Sequence, residues 1–256
     1  EGIDDSKLKD LLRQVAFNTP KTTTKKFFNQ LFGGRNSKAT LGELLAVMLN
    51  TSMYTYKVGG VQVGIEKEII HKVCSLINYS DTSDGTFAPG GSMSNFMALL
   101  MARDSVNRAI KKEGVQQKMI MYTSEESHYS ITKNAMFSGL GVDQIRRIPT
   151  DDRGRMLPDE LDRQIQKDQQ NGYVPTFVNA TAGTTVLGAF DDIDEIAEVT
   201  KKHAIWLHVD GAYCGSVIFS DRYDHLVKGL EKSDSFCFNA HKMLSTPLSC
   251  SILVTQ

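Results

Sequence analysis

The sequence predicts an α/β fold with a mostly parallel central sheet flanked by helices, preceded by an N-terminal helical segment. Three observations predict it. Short β-rich runs alternate with amphipathic helical stretches from about residue 80 onward. Before that point the apolar residues recur at helical spacing. A chain of 256 residues that is 41% hydrophobic also carries enough apolar material to bury a core of that size.

The elements follow in order. Helical periods run through residues 8–15, 41–49 and 61–77, so residues 1–79 read as a helical segment. β-rich runs follow at 118–123, 144–148, 174–181, 205–209, 235–238 and 250–255. Helical candidates at 92–112, 127–137, 157–169 and 193–203 alternate with them. Residues 80–256 are therefore expected to form one large α/β domain. In such sheets ligands bind beyond the carboxyl ends of the strands, so the chemistry is sought where each β-rich run stops.

Composition narrows the function. The 29 basic and 30 acidic residues nearly cancel, which argues against nucleic acid or an anionic membrane surface as partner. No apolar run approaches the ~20 residues of a membrane span, and the start EGIDDSKLKDLL is too charged for a signal peptide. Cys74, Cys214, Cys237 and Cys250 form no CxxC pair, so neither a zinc site nor a disulfide framework is expected. Their expected state is buried and reduced, as in a cytoplasmic protein. Neither GxGxxG nor GxxxxGK[ST] occurs.

Five segments carry candidate chemistry. Residues 88–95, APGGSMSN, run into a long helix; two glycines and a helix start make an anion site, or simply an N-cap. In 123–130, TSEESHYS, His128 opens a helix. Its flat face suits stacking on an aromatic ring, no second metal ligand stands at helical spacing, and ordinary polar surface is the plainer alternative. Residues 182–191, AGTTVLGAFD, make a tight turn whose threonines cap a helix or donate to a ligand oxygen. In 206–213, WLHVDGAY, an apolar strand delivers Asp210 at its end. A buried carboxylate is costly unless paired, so Asp210 either starts a turn or pairs with a protonated pyridine nitrogen, which would keep that ring an electron sink. In 238–243, FNAHKM, Asn239, His241 and Lys242 follow directly on a β-rich run, although most lysines are solvated surface charges.

In this order the segments resemble the group II pyridoxal-phosphate (PLP)-dependent decarboxylases of fold type I, in the glutamate and cysteine-sulfinate decarboxylase branch. The matching text is PGGSMSNF, TSEESHYSI, DDRGRMLPDELDRQI, VNATAGTTVLGAFDDI, WLHVDGAYCGSV and NAHKMLSTPLSCSILV, with FFNQLFGG and LNTSMYTYKVGG upstream. The likeness spans nearly the whole chain. It implies a PLP-enzyme large domain at 80–256 and catalytic roles for Lys242, His128 and Asp210. Lys242 would be the Schiff-base lysine, Asp210 the partner of the pyridine nitrogen, and His128 the residue stacked on the ring. Ser92, Met93 and Ser94 would hold the phosphate, Asn239 and His241 would add cofactor contacts, and Thr185 and Ala212 would line the cofactor. Gln30 would contact substrate.

The resemblance also implies α-decarboxylation of an acidic L-amino acid (cysteine sulfinate, glutamate or aspartate) to the amine and CO2. FFNQLF and SHYS look more like the cysteine-sulfinate side. A homodimer is implied, with residues 1–79 supplying dimer and substrate contacts, and no metal. Two alternatives stay open: another fold type I PLP enzyme, such as an aminotransferase or lyase, or a truncated non-catalytic PLP-binding paralogue. Three differences set the chain apart from the branch. Gly211 stands where Ala is usual, Lys-Val-Gly-Gly follows Tyr56 in place of a Glu and an Ala-Pro, and Ser249 replaces a Gln. Family members continue past the strand after Lys242 with a mobile loop and a small domain, so the large domain is expected to be truncated at its C-terminal end.

Overall fold

The computed structural model of the chain describes residues 2–29 and 31–256. Four helices come first: α1 (Asp5–Asn18), α2 (Ser37–Leu49), α3 (Tyr56–Gly59) and α4 (Val61–Leu76). The first two start at side-chain caps. Asp4 accepts from the amides of Ser6 and Lys7, and Asn36 from those of Lys38 and Ala39, satisfying donors that a helix start leaves open. Neither α1 nor α2 buries a residue. α4 does, through Ile70, Val73 and Cys74.

Beyond α4 come β1 (Asp84–Ala88), α5 (Gly91–Val106), α6 (Ile110–Glu113), β2 (Met119–Ser124), α7 (Ser130–Phe137), β3 (Ile145–Ile148), α8 (Pro158–Gln170) and β4 (Val174–Thr181). Then follow α9 (Ile193–His203), β5 (Trp206–Gly211), β6 (Ser235–Asn239), α10 (Ala240–Met243) and β7 (Ser251–Thr255). The seven strands form one sheet in the order β1-β7-β6-β5-β4-β2-β3. β3, β2, β4, β5 and β6 run parallel, and β7 lies antiparallel between β6 and β1.

Alternation along the strands makes two cores. Ile120 and Tyr122 on β2, with Val178, Leu207 and Val209, face α4, α8 and α9 through Ile70, Leu161, Ile165 and Ile196. Met119 and Met121, with Phe177 and Cys237, face α5 and α7 through Ala98, Leu99, Ile131 and Ala135. Helices on both faces explain why β2 is buried at every position.

The six expected β-rich runs all form strands. β1 is an addition. DGTFA has few β-branched residues and sits at the sheet edge, where pairing with β7 creates the strand. The helix expected at 92–112 is broken. Asn107 leaves helical geometry and its side chain accepts from the Ala109 amide, so the backbone turns there. The helix expected from 127 begins at Ser130, which leaves His128 in the preceding turn.

Candidate active site

A cavity of about 440 Å³ opens where β4, β5 and β6 end and α5 begins. The parallel strands deliver polar residues there because each crossover returns the chain to the opposite edge. β5 carries Asp210 one residue before its end, and Asp210 is 3% exposed. β6 ends on Asn239, and α10 immediately presents His241 and Lys242. Ser92, Met93, His128, Thr185, Asp210, Ala212, Asn239, His241 and Lys242 all line the cavity. Nine of the expected site residues, scattered between residues 92 and 242, are thus brought to one place.

One described residue of the expected set is not among them. The Ser94 side chain is fully buried and its hydroxyl lies 2.8 Å from the Ser251 hydroxyl on β7. Its amide, like that of Met93, donates to the Gly90 carbonyl. The donors that this turn of α5 presents are therefore the Gly91 and Ser92 amides and the Ser92 hydroxyl. Gln30 lies outside the described residues. Its neighbour Gly33 donates its amide to the Lys242 carbonyl at 2.8 Å, so that segment reaches the lysine turn.

The electrostatics have named causes. Asp210 Oδ1 accepts from the Ala212 amide at 2.9 Å, and Oδ2 accepts from Asn95 Nδ2 at 2.7 Å. Burial holds the His128 pKa below its ordinary value; Asp210 pulls it up, and Lys242 and Lys133 add to the lowering. The Ser130 amide donates to His128 Nδ1 at 3.2 Å, so the neutral ring carries its proton on Nε2. The ring lies 4.2 Å from that of Tyr129, centre to centre. His241 is also pushed down by burial, and its Nδ1 sits 3.0 Å from the Cys250 amide nitrogen, tying α10 to the approach to β7. Lys242 Nζ lies 6.0 Å from the centre of the Tyr213 ring.

Close backbone packing shapes the cradle. A Cβ on Gly91 would lie 2.8 Å from the Ala212 Cβ and 3.2 Å from the Asn239 amide group, so only glycine lets α5 start this near β6. Gly183 has φ +92°, and a Cβ there would collide with Cys214. Gly211 is equally constrained: a Cβ would meet Phe236, the Gly215 Cα and the Cys237 carbonyl at 2.6–2.9 Å. The turn after β4 closes on itself, with the Gly183 and Thr184 amides donating to the Ala189 carbonyl.

Three contributors escaped the sequence reading. Asn95, which also lines the cavity, and His208, which does not, back Asp210; the available signal was strand alternation, which puts His208 on the same face as Asp210. Asp191 is the third. It accepts from the Met156 and Thr181 amides, both at 2.7 Å, and anchors the end of β4; burial pushes its pKa up to about 6.

The cavity has hydrogen-bonding capacity left over. The Thr181 hydroxyl and the Asn239 side-chain carbonyl belong to lining residues and are buried without a partner. Buried polar atoms are almost always paired, so these two point to a polar ligand. With an ammonium at Lys242, a carboxylate at Asp210, an imidazole face at His128 and amide donors at the α5 start, the set suits a flat heteroaromatic phosphate. Among the described residues no cluster of His, Cys, Asp or Glu could hold a metal ion, and no helix is long and apolar enough to cross a membrane.

Residues 5–256 match the model of the pyridoxal-dependent decarboxylase conserved domain. The chain is 43% identical over 258 residues to the cysteine sulfinic acid decarboxylase of Rattus norvegicus, covering 100% of this chain and 52% of the relative. It is 40% identical to an acidic amino acid decarboxylase of Xenopus tropicalis, covering 100% and 50%. The crystal structure of mouse CSAD superposes with a TM-score of 0.97 at 42% identity, covering 100% of this chain and 54% of that one. The chain thus spans about half the length of the curated relatives it matches.

Proposed function

Because the chain belongs to the pyridoxal-dependent decarboxylase family, we propose that the whole protein binds PLP in this cavity and α-decarboxylates an acidic L-amino acid. Cysteine sulfinate, glutamate and aspartate are the candidate substrates, and the products are the corresponding amine and CO2. The observation that carries the reading is the convergence of Lys242, Asp210, His128 and the first turn of α5 on one cavity. The relatives' names, cysteine sulfinic acid decarboxylase and acidic amino acid decarboxylase, support the substrate class.

Each residue has a role under this reading. Lys242 holds the cofactor covalently through Nζ. Asp210, already carrying two donors, presents its carboxylate to the pyridine nitrogen. His128 covers a ring face with a neutral imidazole. The Gly91 and Ser92 amides and the Ser92 hydroxyl take the phosphate, where the helix start also favours an anion. Met93, Thr185, Ala212, Asn239 and His241 add to the wall, and Gln30 contacts substrate. PLP, when bound, supplies an electron sink for the substrate's Cα–carboxylate bond. The protein supplies orientation and a charge pattern fixed before substrate arrives.

The same reading makes the protein a cytoplasmic homodimer. All four cysteines are free thiols, as a reducing compartment would keep them. α1 and α2 leave Leu12, Val15, Leu44 and Met48 more than half exposed, which supports a covering subunit.

The test uses the full-length protein with added PLP. Borohydride treatment should trap PLP on Lys242, and Lys242→Ala should abolish the adduct. CO2 release should follow from at least one of the three substrates. Trapping on a different lysine would refute the cofactor assignment, and trapping at Lys242 without CO2 from any of them would refute decarboxylation.

A further inference from the structure

Behind Asp210 lies a line of buried polar groups whose hydrogen-bond directions can be assigned one by one. It starts at the carboxylate. An ionised carboxyl only accepts, so the group 2.7 Å from Oδ2 is the Asn95 amide nitrogen. That turns the Asn95 carbonyl toward His208 Nε2 at 3.0 Å. A carbonyl also only accepts, so Nε2 must carry a proton. The His208 ring is wholly buried, and burial pushes its pKa down to about 4, so its other nitrogen is bare. Bare Nδ1 faces the Ser235 hydroxyl at 2.9 Å, which therefore donates. The Ser235 oxygen in turn accepts from Trp206 Nε1 at 2.9 Å.

Every link donates toward Asp210. The neighbours hold the arrangement in place. Asn95 Nδ2 gives its second proton to Ser130 at 3.2 Å, and the Asn95 carbonyl takes a second donor from the Cys237 thiol at 3.2 Å. Burial raises the Cys237 pKa, so that thiol keeps its proton. Both ends of the Asn95 amide are thus engaged, and a flip would set donors against donors. The His208 ring stacks on Phe177 at 5.7 Å and 22°.

We propose that Trp206, Ser235, His208 and Asn95 form a one-way hydrogen-bond chain that presents Asp210 to the cavity as an acceptor-only carboxylate. His208 and Asn95 are its positioning residues. The proposal rests on the reading above, in which Asp210 meets the pyridine nitrogen. It differs from plain core packing in one consequence: the chain matters only to a ligand with a ring nitrogen for Asp210 to engage.

Binding to the full-length apoprotein tests this, using PLP and its carbocyclic analogue in which the ring nitrogen is replaced by C–H. The wild type should prefer PLP by about tenfold or more, the scale of one charge-assisted hydrogen bond. His208→Leu should lose most of that preference and still bind the analogue as wild type does. His208→Gln should retain it, because Gln both accepts from Ser235 and donates to Asn95. If His208→Leu does not fold, Asn95→Ser takes its place, with the same loss expected. A leucine variant that keeps the preference, or that weakens both ligands alike, would overturn the chain. Asp210→Asn separates the two readings. If it leaves the preference intact, or if wild type shows none, the pairing of Asp210 with the ring nitrogen fails, and the chain falls with it.

Discussion

The amide of Gly33 donates to the carbonyl of Lys242 at 2.8 Å, and the Ser245 hydroxyl donates back to the Gly33 carbonyl at 2.7 Å. This two-way clasp fixes the segment before α2 against the turn that carries the lysine. No side chain fits there: a Cβ on Gly33 would lie 2.5 Å from the Lys242 carbonyl oxygen. Gly33→Ala should therefore displace the lysine turn. The expected loss in kcat/KM is about tenfold or more, since small misplacements near a reacting group cost that much. Steady-state kinetics of the full-length protein checks it, and an unchanged kcat/KM would show that the clasp is dispensable.

Asp210→Asn should retain cofactor and lose turnover. Asn keeps the shape and accepts from the Ala212 amide, but its Nδ2 then faces the Asn95 amide nitrogen, and it removes the charge that the pyridine nitrogen would meet. The expected fall in CO2 release is about two to three orders of magnitude, the scale of removing one preorganised electrostatic partner. Activity within a few-fold of wild type would leave Asp210 a structural residue.

Two buried groups give opposite pH dependences of stability. His208 is held down to about 4 by burial. Its contribution is full above the unfolded value near 6.5 and is lost as pH falls through about 4. Asp191 is pushed up to about 6 by burial. Its contribution is full below its unfolded value near 3.8 and is lost as pH rises through about 6. Across pH 4–6 the two terms oppose each other, each on the order of 3 kcal/mol. His208→Gln should flatten the loss of stability on acidification, and Asp191→Asn should steepen it. Denaturant melts at pH 4, 5, 6 and 7 read both slopes. Parallel profiles for wild type and both variants would show that neither group titrates on folding.

The exposed stripe of α1 should seal a dimer. Leu8, Leu11, Leu12 and Val15 recur at helical spacing, are 40–64% exposed, and touch no core of their own subunit. A two-fold interface buries one patch against itself. Leu8→Glu with Leu12→Glu in the full-length protein should shift sedimentation from dimer toward monomer and reduce activity with it. A dimer that survives both charges at micromolar concentration would place the interface elsewhere.

Much of this protein was legible along the chain. The period-2 runs ending in Asp210 and Asn239, and the glycines and serine opening α5, mark both the strands and the site at their carboxyl ends. Those signals are local: they depend on side-chain alternation, on helix starts and on where glycine is needed. β1 was not legible, because DGTFA has no strand pattern of its own and acquires one only from β7. The broken helix at Asn107 was missed because a single side-chain-to-backbone bond outweighed the helical period around it.

By itself the sequence determined the fold class, the order of the chemical groups, and the placing of Asp210 and Lys242 at and just beyond strand ends; it put His128 on a helix start, where the structure has a turn. Tertiary structure alone decided what those groups face. Ser94 reads like Ser92 in sequence, yet the turn of α5 aims it at Ser251 and away from the cavity. His208 and Asn95 are 113 residues apart, and only the packing of α5 across β5 brings them within 3.0 Å of each other. Their hydrogen-bond directions follow from burial, because a ring cut off from water stays neutral and must match each nitrogen to its neighbour. Local pattern sets where a side chain starts, and long-range packing sets which partner it meets and with which proton.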